Sequence, residues 1–168
     1  MLHRHIAILL VFAMFFAACN LHRREDAIKL SNELTQVNDS LNYFGKVWGD
    51  EFKVAVKTRD FTHLQNIRQK MEVYINQSIQ HVNNLKDVGA SKPLKSSLID
   101  ILKYEKDTIL SKLIVFEAFT ENTDDTVISG AYKDMMSTTL PDLKKHDVMY
   151  NYLDEYAEKN DFPKPVDK

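Results

Sequence analysis

Apolar residues recur along most of this chain at alternating spacings of four and three, with polar and charged residues between them. That rhythm keeps one face of a helix apolar, near the 3.5-residue period at which packed helices share a seam. The first stripe runs Leu30, Leu34, Val37, Leu41, Phe44, Trp48, Phe52 and Ala55. Thr58-Arg59-Asp60 interrupts it, and the Asp60 carboxylate is expected to cap the next helix. The second stripe is Leu64, Ile67, Met71, Tyr74/Ile75, Ile79, Val82 and Leu85, ending at Val88-Gly89, where Gly89 suits a C-terminal cap. Ser91-Lys92-Pro93 then reads as a helix start, with a capping hydroxyl and a proline in the first turn.

The third stripe is Leu94, Leu98, Ile101/Leu102, Ile109, Leu113, Phe116 and Phe119, followed by a polar loop over 120–126. The fourth is Ile128, Tyr132, Met135, Thr139, Leu143, His146, Met149/Tyr150, Leu153 and Tyr156/Ala157. Pro141 lies inside it, where proline removes a backbone hydrogen bond and clashes one turn back. The stripe keeps its phase across Pro141, which predicts a fourth helix that is kinked or broken there. Four such helices joined by short connections predict an all-α fold, an up-down-up-down antiparallel four-helix bundle over residues 26–160. Residues 161–168 read as an irregular tail. In that topology the start of the first helix, the turn at 89–93 and the tail share one end, and the loops at 58–60 and 121–125 share the other.

The first residues follow a different logic. Arg4 lies in a short polar start, eleven apolar residues follow from Ile6 to Phe16, and charge returns at Arg23. A membrane-crossing helix needs about 20 apolar residues, and the run through Cys19 supplies fourteen. A basic start, a short apolar stretch and small residues before a cut describe a secretory signal peptide, residues 1–18. Phe16-Ala17-Ala18-Cys19 resembles the lipobox of bacterial lipoproteins, although that class prefers Leu where Phe16 stands. The resemblance covers only residues 1–19. It implies cleavage before Cys19, lipid on the Cys19 thiol, a short linker over 19–25, and a membrane as partner. Two or more acyl chains give stable attachment, at about 0.8 kcal/mol per buried methylene. The implied location is the bacterial cell envelope, with the outer membrane or cell surface ahead of the inner membrane. The overall layout is also similar, with no quotable motif, to some small helical surface lipoproteins of uncharacterised function.

Composition narrows the remainder. Without residues 1–18 the chain has 150 residues, enough for one domain with its own core. Its formal charge is then −3, from 21 Lys and Arg against 24 Asp and Glu, which gives no footprint for nucleic acid. Cys19 is the only cysteine, so stability must come from packing rather than from disulfides.

Motifs that carry chemistry are sparse. Di-iron bundles need Glu-x-x-His on their helices, and that spacing does not occur. Asp60-Phe61-Thr62-His63 has the spacing with the wrong acid, at a turn. Covalent haem needs Cys-x-x-Cys-His. Met71, Met135 and Met149 fall on apolar stripes and read as core. There is no phosphate loop, nucleophile elbow or zinc-protease motif. No cofactor is therefore assigned. Gly45 and Gly49 flank Trp48 and weaken the first helix by about 1 kcal/mol each relative to Ala. They read as close packing of a neighbour beside Trp48, with a small groove as the other reading. One polar layer is conceivable: at equal height in an antiparallel bundle, His81 falls near Asp39, Asp100 and His146. Two histidines and carboxylates facing inward would suit zinc, while histidines bordering the core is the plainer reading.

The expectation is therefore a non-enzymatic, lipid-anchored helical bundle that binds or scaffolds, with a protein partner in the envelope. The reading from another class is a metal- or haem-binding redox or storage bundle.

Overall fold

In a computed structural model the backbone is described for residues 2–164 and side chains for residues 23–164. Met1 and residues 165–168, and the side chains of 2–22, lie outside that description. The segment expected to be a signal peptide, and Cys19, where lipid is expected, therefore fall outside the described side chains.

The chain is all-helical and forms a four-helix bundle. The first helix, α1, spans Leu2–Thr58, so the segment expected as a linker, 19–25, lies within its range. The second, α2, spans Leu64–Asn84. The third is composite: α3 (Lys92–Tyr104), one π-helical turn (Glu105–Ile109), α4 (Leu110–Leu113) and a 3-10 turn (Ile114–Ala118). The fourth is broken into α5 (Asp125–Met136) and α6 (Thr139–Lys159). Packing joins α1 to α2, α2 to α3, and α3 to α6. Contacts between neighbours run in opposite numerical order. Glu33 meets His81 while Phe44 meets Tyr74, and the Lys95 ammonium donates to the Leu85 carbonyl while Arg68 pairs with Glu117.

The core is the one the stripes describe over α1 and α2. Leu34, Leu41, Trp48, Leu64, Met71, Ile75 and Val82 are all buried. The two ends are tied as the stripes imply. Arg59 donates to the Thr123 carbonyl at 3.1 Å and pairs with Asp125, joining the loop after α1 to the loop before α5. At the other end Tyr156 donates its hydroxyl to the Val88 carbonyl at 3.0 Å. Gly89 has φ +57°, and the Asn160 side chain occupies the space a Cβ would need.

Several local expectations need correction. The Asp60 carboxylate accepts from the Thr62 amide at 3.0 Å within its own turn, whereas His63 precedes α2 without a side-chain cap. Gly89 is not a helix cap, because α2 ends at Asn84 with Leu85 extended; its left-handed backbone serves the turn instead. The Ser91 hydroxyl accepts from the Val88 amide at 3.1 Å rather than capping α3. Among the described residues the side-chain cap that does form is Asp124, which accepts from the Thr126 amide at 2.7 Å.

The fourth helix breaks at Ser137–Thr138, three residues before Pro141. Pro141 then falls in the first turn of α6, where a helix has no use for the missing amide hydrogen. The break restarts the helical phase. Leu143 and Tyr132, expected in the core, are 54% and 43% exposed, whereas Ile128, His146, Met149 and Leu153 are buried.

The π turn does the same to the third helix. The stripe Leu94, Leu98, Ile101 continues by fours to Glu105 and would reach Ile109. One extra residue in the turn, closed by the Leu110 amide on the Glu105 carbonyl, brings Leu110 inward in place of Ile109. Leu110, Leu113 and Phe116 are buried below the turn. Glu105 itself stands on the stripe and is buried with them.

Candidate functional site

The π turn and the helix break lie side by side. Tyr104 donates its hydroxyl to the Thr138 carbonyl at 3.2 Å, so α3 holds the broken end of the fourth helix in place. Breaks of this kind open space, because side chains on either side no longer follow one continuous seam. Between them lies an apolar cavity of about 670 Å³. Trp48, Phe52, Met71, Leu113, Tyr132 and Met135 form much of its wall, and Glu105 and Asp142 supply acid at one side.

The aromatic wall is ordered by stacking. Trp48 lies on Phe52 with ring centres 5.2 Å apart, and Tyr132 stacks on the same Phe52 at 5.6 Å. Tyr132 is thus a lid residue over Phe52 rather than a core residue. Gly45 and Gly49 also line this space, and a Cβ on either would meet nothing within 4 Å. The expectation that these glycines admit a closely packed neighbour is corrected here. They open the groove beside Trp48.

Three polar groups are unusual. Glu105 is 8% exposed, and its Oε2 has no hydrogen-bond partner among the described residues. The same holds for Asp142 Oδ1 and for Trp48 Nε1. Burial, then the neighbouring Asp142 charge, pushes the Glu105 carboxyl up to about 8. Burial also raises Asp142, against the pull of His146 and Lys145. His146, one turn after Asp142 on α6, places its Nε2 3.6 Å from Asp142 Oδ2, beyond a hydrogen bond. One ligand atom from each of Glu105, Asp142 and His146 lies within 4.8 Å of the others.

The residues singled out by sequence fare unequally. His146 is buried and belongs to this cluster. His81 does not: its Nε2 meets Glu33 Oε1 at 2.8 Å on a half-exposed flank of α1 and α2. Asp39 and Asp100 are exposed. The layer of His81, Asp39, Asp100 and His146 is therefore not formed, because equal height along a bundle does not fix which way each helix face is turned. Glu105 and Asp142 were missed. Both carried a signal: Glu105 fills the gap in the third stripe, and Asp142 stands four residues before His146, on the same helix face.

A second buried ionic group is structural. Arg68, 8% exposed, holds Glu117 through two of its nitrogens and Glu72 at 3.0 Å. Each charge has its partner, as burial requires.

Among the described residues no helix is long and apolar enough to cross a membrane. No family model matches the chain, and no curated protein or solved structure matches it either.

Proposed function

We propose that this protein is a lipid-anchored binding protein of the bacterial envelope that holds an apolar small molecule between α1, the π turn and the α5–α6 break. The observation that carries the binding role is the 670 Å³ apolar cavity, opened by two glycines and floored by buried acid. Sites for small molecules are typically about 300–1,000 Å³, mostly apolar, with a few polar groups that fix orientation. Trp48 Nε1 fits that last role, since it is a buried polar atom that a ligand's polar group would satisfy. The occupant that fits is a ring system or acyl chain bearing one polar group. The role is binding rather than catalysis, supported by the absence of any nucleophile motif in the sequence.

The two glycines give the test. Gly49→Leu or Gly45→Leu places an apolar side chain in space now free of protein atoms. Each removes a helix-weakening glycine, a gain of up to about 1 kcal/mol. The expected result is a protein that melts at the same or a higher temperature and no longer enhances the fluorescence of the neutral apolar dye Nile red. Undiminished dye binding in both variants would defeat the proposal.

The anchor rests on the lipobox-like ending at Cys19. In cells fed an alkyne fatty acid, the wild-type chain should take up label and Cys19→Ser should take up none. Label retained on the serine variant would remove the lipid anchor from the proposal.

A further inference from the structure

The cavity's acidic side has more structure than an apolar ligand requires. Asp142 and His146 stand one turn apart on α6, so both side chains project from one helix face. Glu105 reaches the same point from the π turn of the third helix. The three come from two separate elements, and each element carries a departure from regular helix beside its ligand residue. π turns of this kind are often found at functional sites.

We propose that Glu105, Asp142 and His146 form a mononuclear zinc-class metal site, with its remaining coordination position open to the cavity. This goes beyond the binding role above and does not depend on what fills the apolar part. Four observations support it. The first is donor chemistry. One imidazole and two carboxylates are a three-ligand set suited to zinc, and three protein ligands leave a fourth position for water or a bound molecule. The imidazole argues against magnesium and calcium, which take oxygen ligands.

The second is distance. Tetrahedral bonds of ~2.0–2.1 Å place ligand atoms about 3.3 Å apart. The three atoms already lie within 4.8 Å of one another, so small side-chain rotations complete the site. The third is the unmet demand. Glu105 Oε2 and Asp142 Oδ1 are buried without a partner, and His146 and Asp142 are too far apart, at 3.6 Å, to satisfy one another directly. Buried polar groups are nearly always partnered, and a cation between them would answer both carboxylates at once. The fourth is charge. The buried Glu105 carboxylate and the partly buried Asp142 carboxylate repel one another unless one is neutral, whereas a divalent cation allows both to ionise. Glu105 and Asp142 line the cavity, so a metal held by them would lie at its wall.

The test uses the full-length chain in detergent, stripped with a chelator and titrated with zinc chloride by calorimetry. One zinc per chain is expected, with a raised melting temperature. Asp142→Asn and His146→Ala should weaken binding at least about 100-fold, the upper end of what loss of even an outer supporting partner costs. His81→Ala, outside the site, should bind as the wild type does. Glu105→Gln keeps the side chain's shape, so it remains informative if another variant fails to fold. Cobalt(II) gives a second reading, because tetrahedral coordination produces strong visible absorption that Glu105→Gln should abolish. The proposal is overturned if the wild type takes up no zinc, if Glu105→Gln binds zinc and cobalt unchanged, or if His81→Ala loses binding to the same degree. None of these outcomes depends on Nile red, so failure of the metal site and failure of the apolar pocket are read separately.

Discussion

Metal-free wild-type protein should lose stability as pH rises from about 4.5 to 8, and Glu105→Gln should remove most of that loss. Burial and the adjacent Asp142 hold the Glu105 carboxyl at about 8, against an ordinary 4.5. Between those values the folded chain keeps a proton that the unfolded chain has released. Folding is then coupled to proton uptake, and stability falls with rising pH across that window. Below about 4.5 both states are protonated at this site and the contribution is complete; above about 8 it is gone. At ~1.4 kcal/mol per unit, the fall amounts to roughly 3–5 kcal/mol, a large part of the ~5–15 kcal/mol that holds a domain of this size together. Asp142 is shifted in the same direction, so a smaller slope should survive in the variant. His146 and Lys145 act on Asp142 in the opposite direction to burial. Urea melts in the presence of a chelator at pH 5 and pH 9 give the measurement. The wild type should lose several kcal/mol between the two, and Glu105→Gln should lose much less. Equal slopes in the two proteins would show that Glu105 does not sit neutral in the core.

Much of this fold is legible in the sequence because amphipathic spacing is a global signal. A stripe such as Leu30 to Ala55 persists over seven turns, and no local accident removes it. The four rods and the core residues of α1 and α2 follow from that alone. What spacing cannot show is a change of phase. The stripe through Leu143 looks continuous on paper, yet one break at Ser137–Thr138 turns Leu143 to solvent and begins a new face at His146. The third rod hides a similar slip: a polar residue on the seam, Glu105, reads as a gap, and the extra residue of the π turn then carries Leu110 inward.

The cluster of Glu105, Asp142 and His146 lies where those two slips meet, which is why the sequence disclosed only one of the three. His146 was visible as a histidine on an apolar stripe. Placing it beside His81 required the azimuth of two helices, and height supplies only position along the axis. Asp142 and Glu105 needed no such estimate, since one shares the face of His146 and the other interrupts a stripe. The glycines teach the same lesson from the other side. Two glycines four apart on a helix fit close packing or a groove equally well, and only the neighbours decide. Gly45 and Gly49 face space because the rods opposite them are the two that change phase.

Phe116→Ala should cost about 3–5 kcal/mol, the usual loss for removing a buried aromatic ring. Phe116 is fully buried in the 3-10 turn that ends the third rod. Its ring meets Phe52 at 4.8 Å, Trp48 at 5.4 Å and Phe119 at 5.4 Å, each edge to face. Such pairs contribute about 0.5–1.5 kcal/mol beyond the area they bury. Through Phe119 the cluster reaches Phe61 in the loop after α1, so one ring joins α1, the third rod and the far end of the bundle. It also backs the cavity: Trp48 and Phe52 stand on Phe116 on one side and face the cavity on the other. Truncation should therefore have two effects that a remote core site would not show together. The denaturation midpoint should fall steeply. Nile red affinity should fall as well, because the stacked wall loses its support. Tyr132→Ala is the comparison, since Tyr132 stacks on the cavity side of Phe52 but is 43% exposed. It should reduce dye affinity while costing about 1 kcal/mol or less, as expected for a partly exposed aromatic contact. If Phe116→Ala lowered stability but left dye binding intact in the folded fraction, the aromatic wall would not depend on Phe116. If it cost less than ~1 kcal/mol, the ring would not be packed on all sides as described.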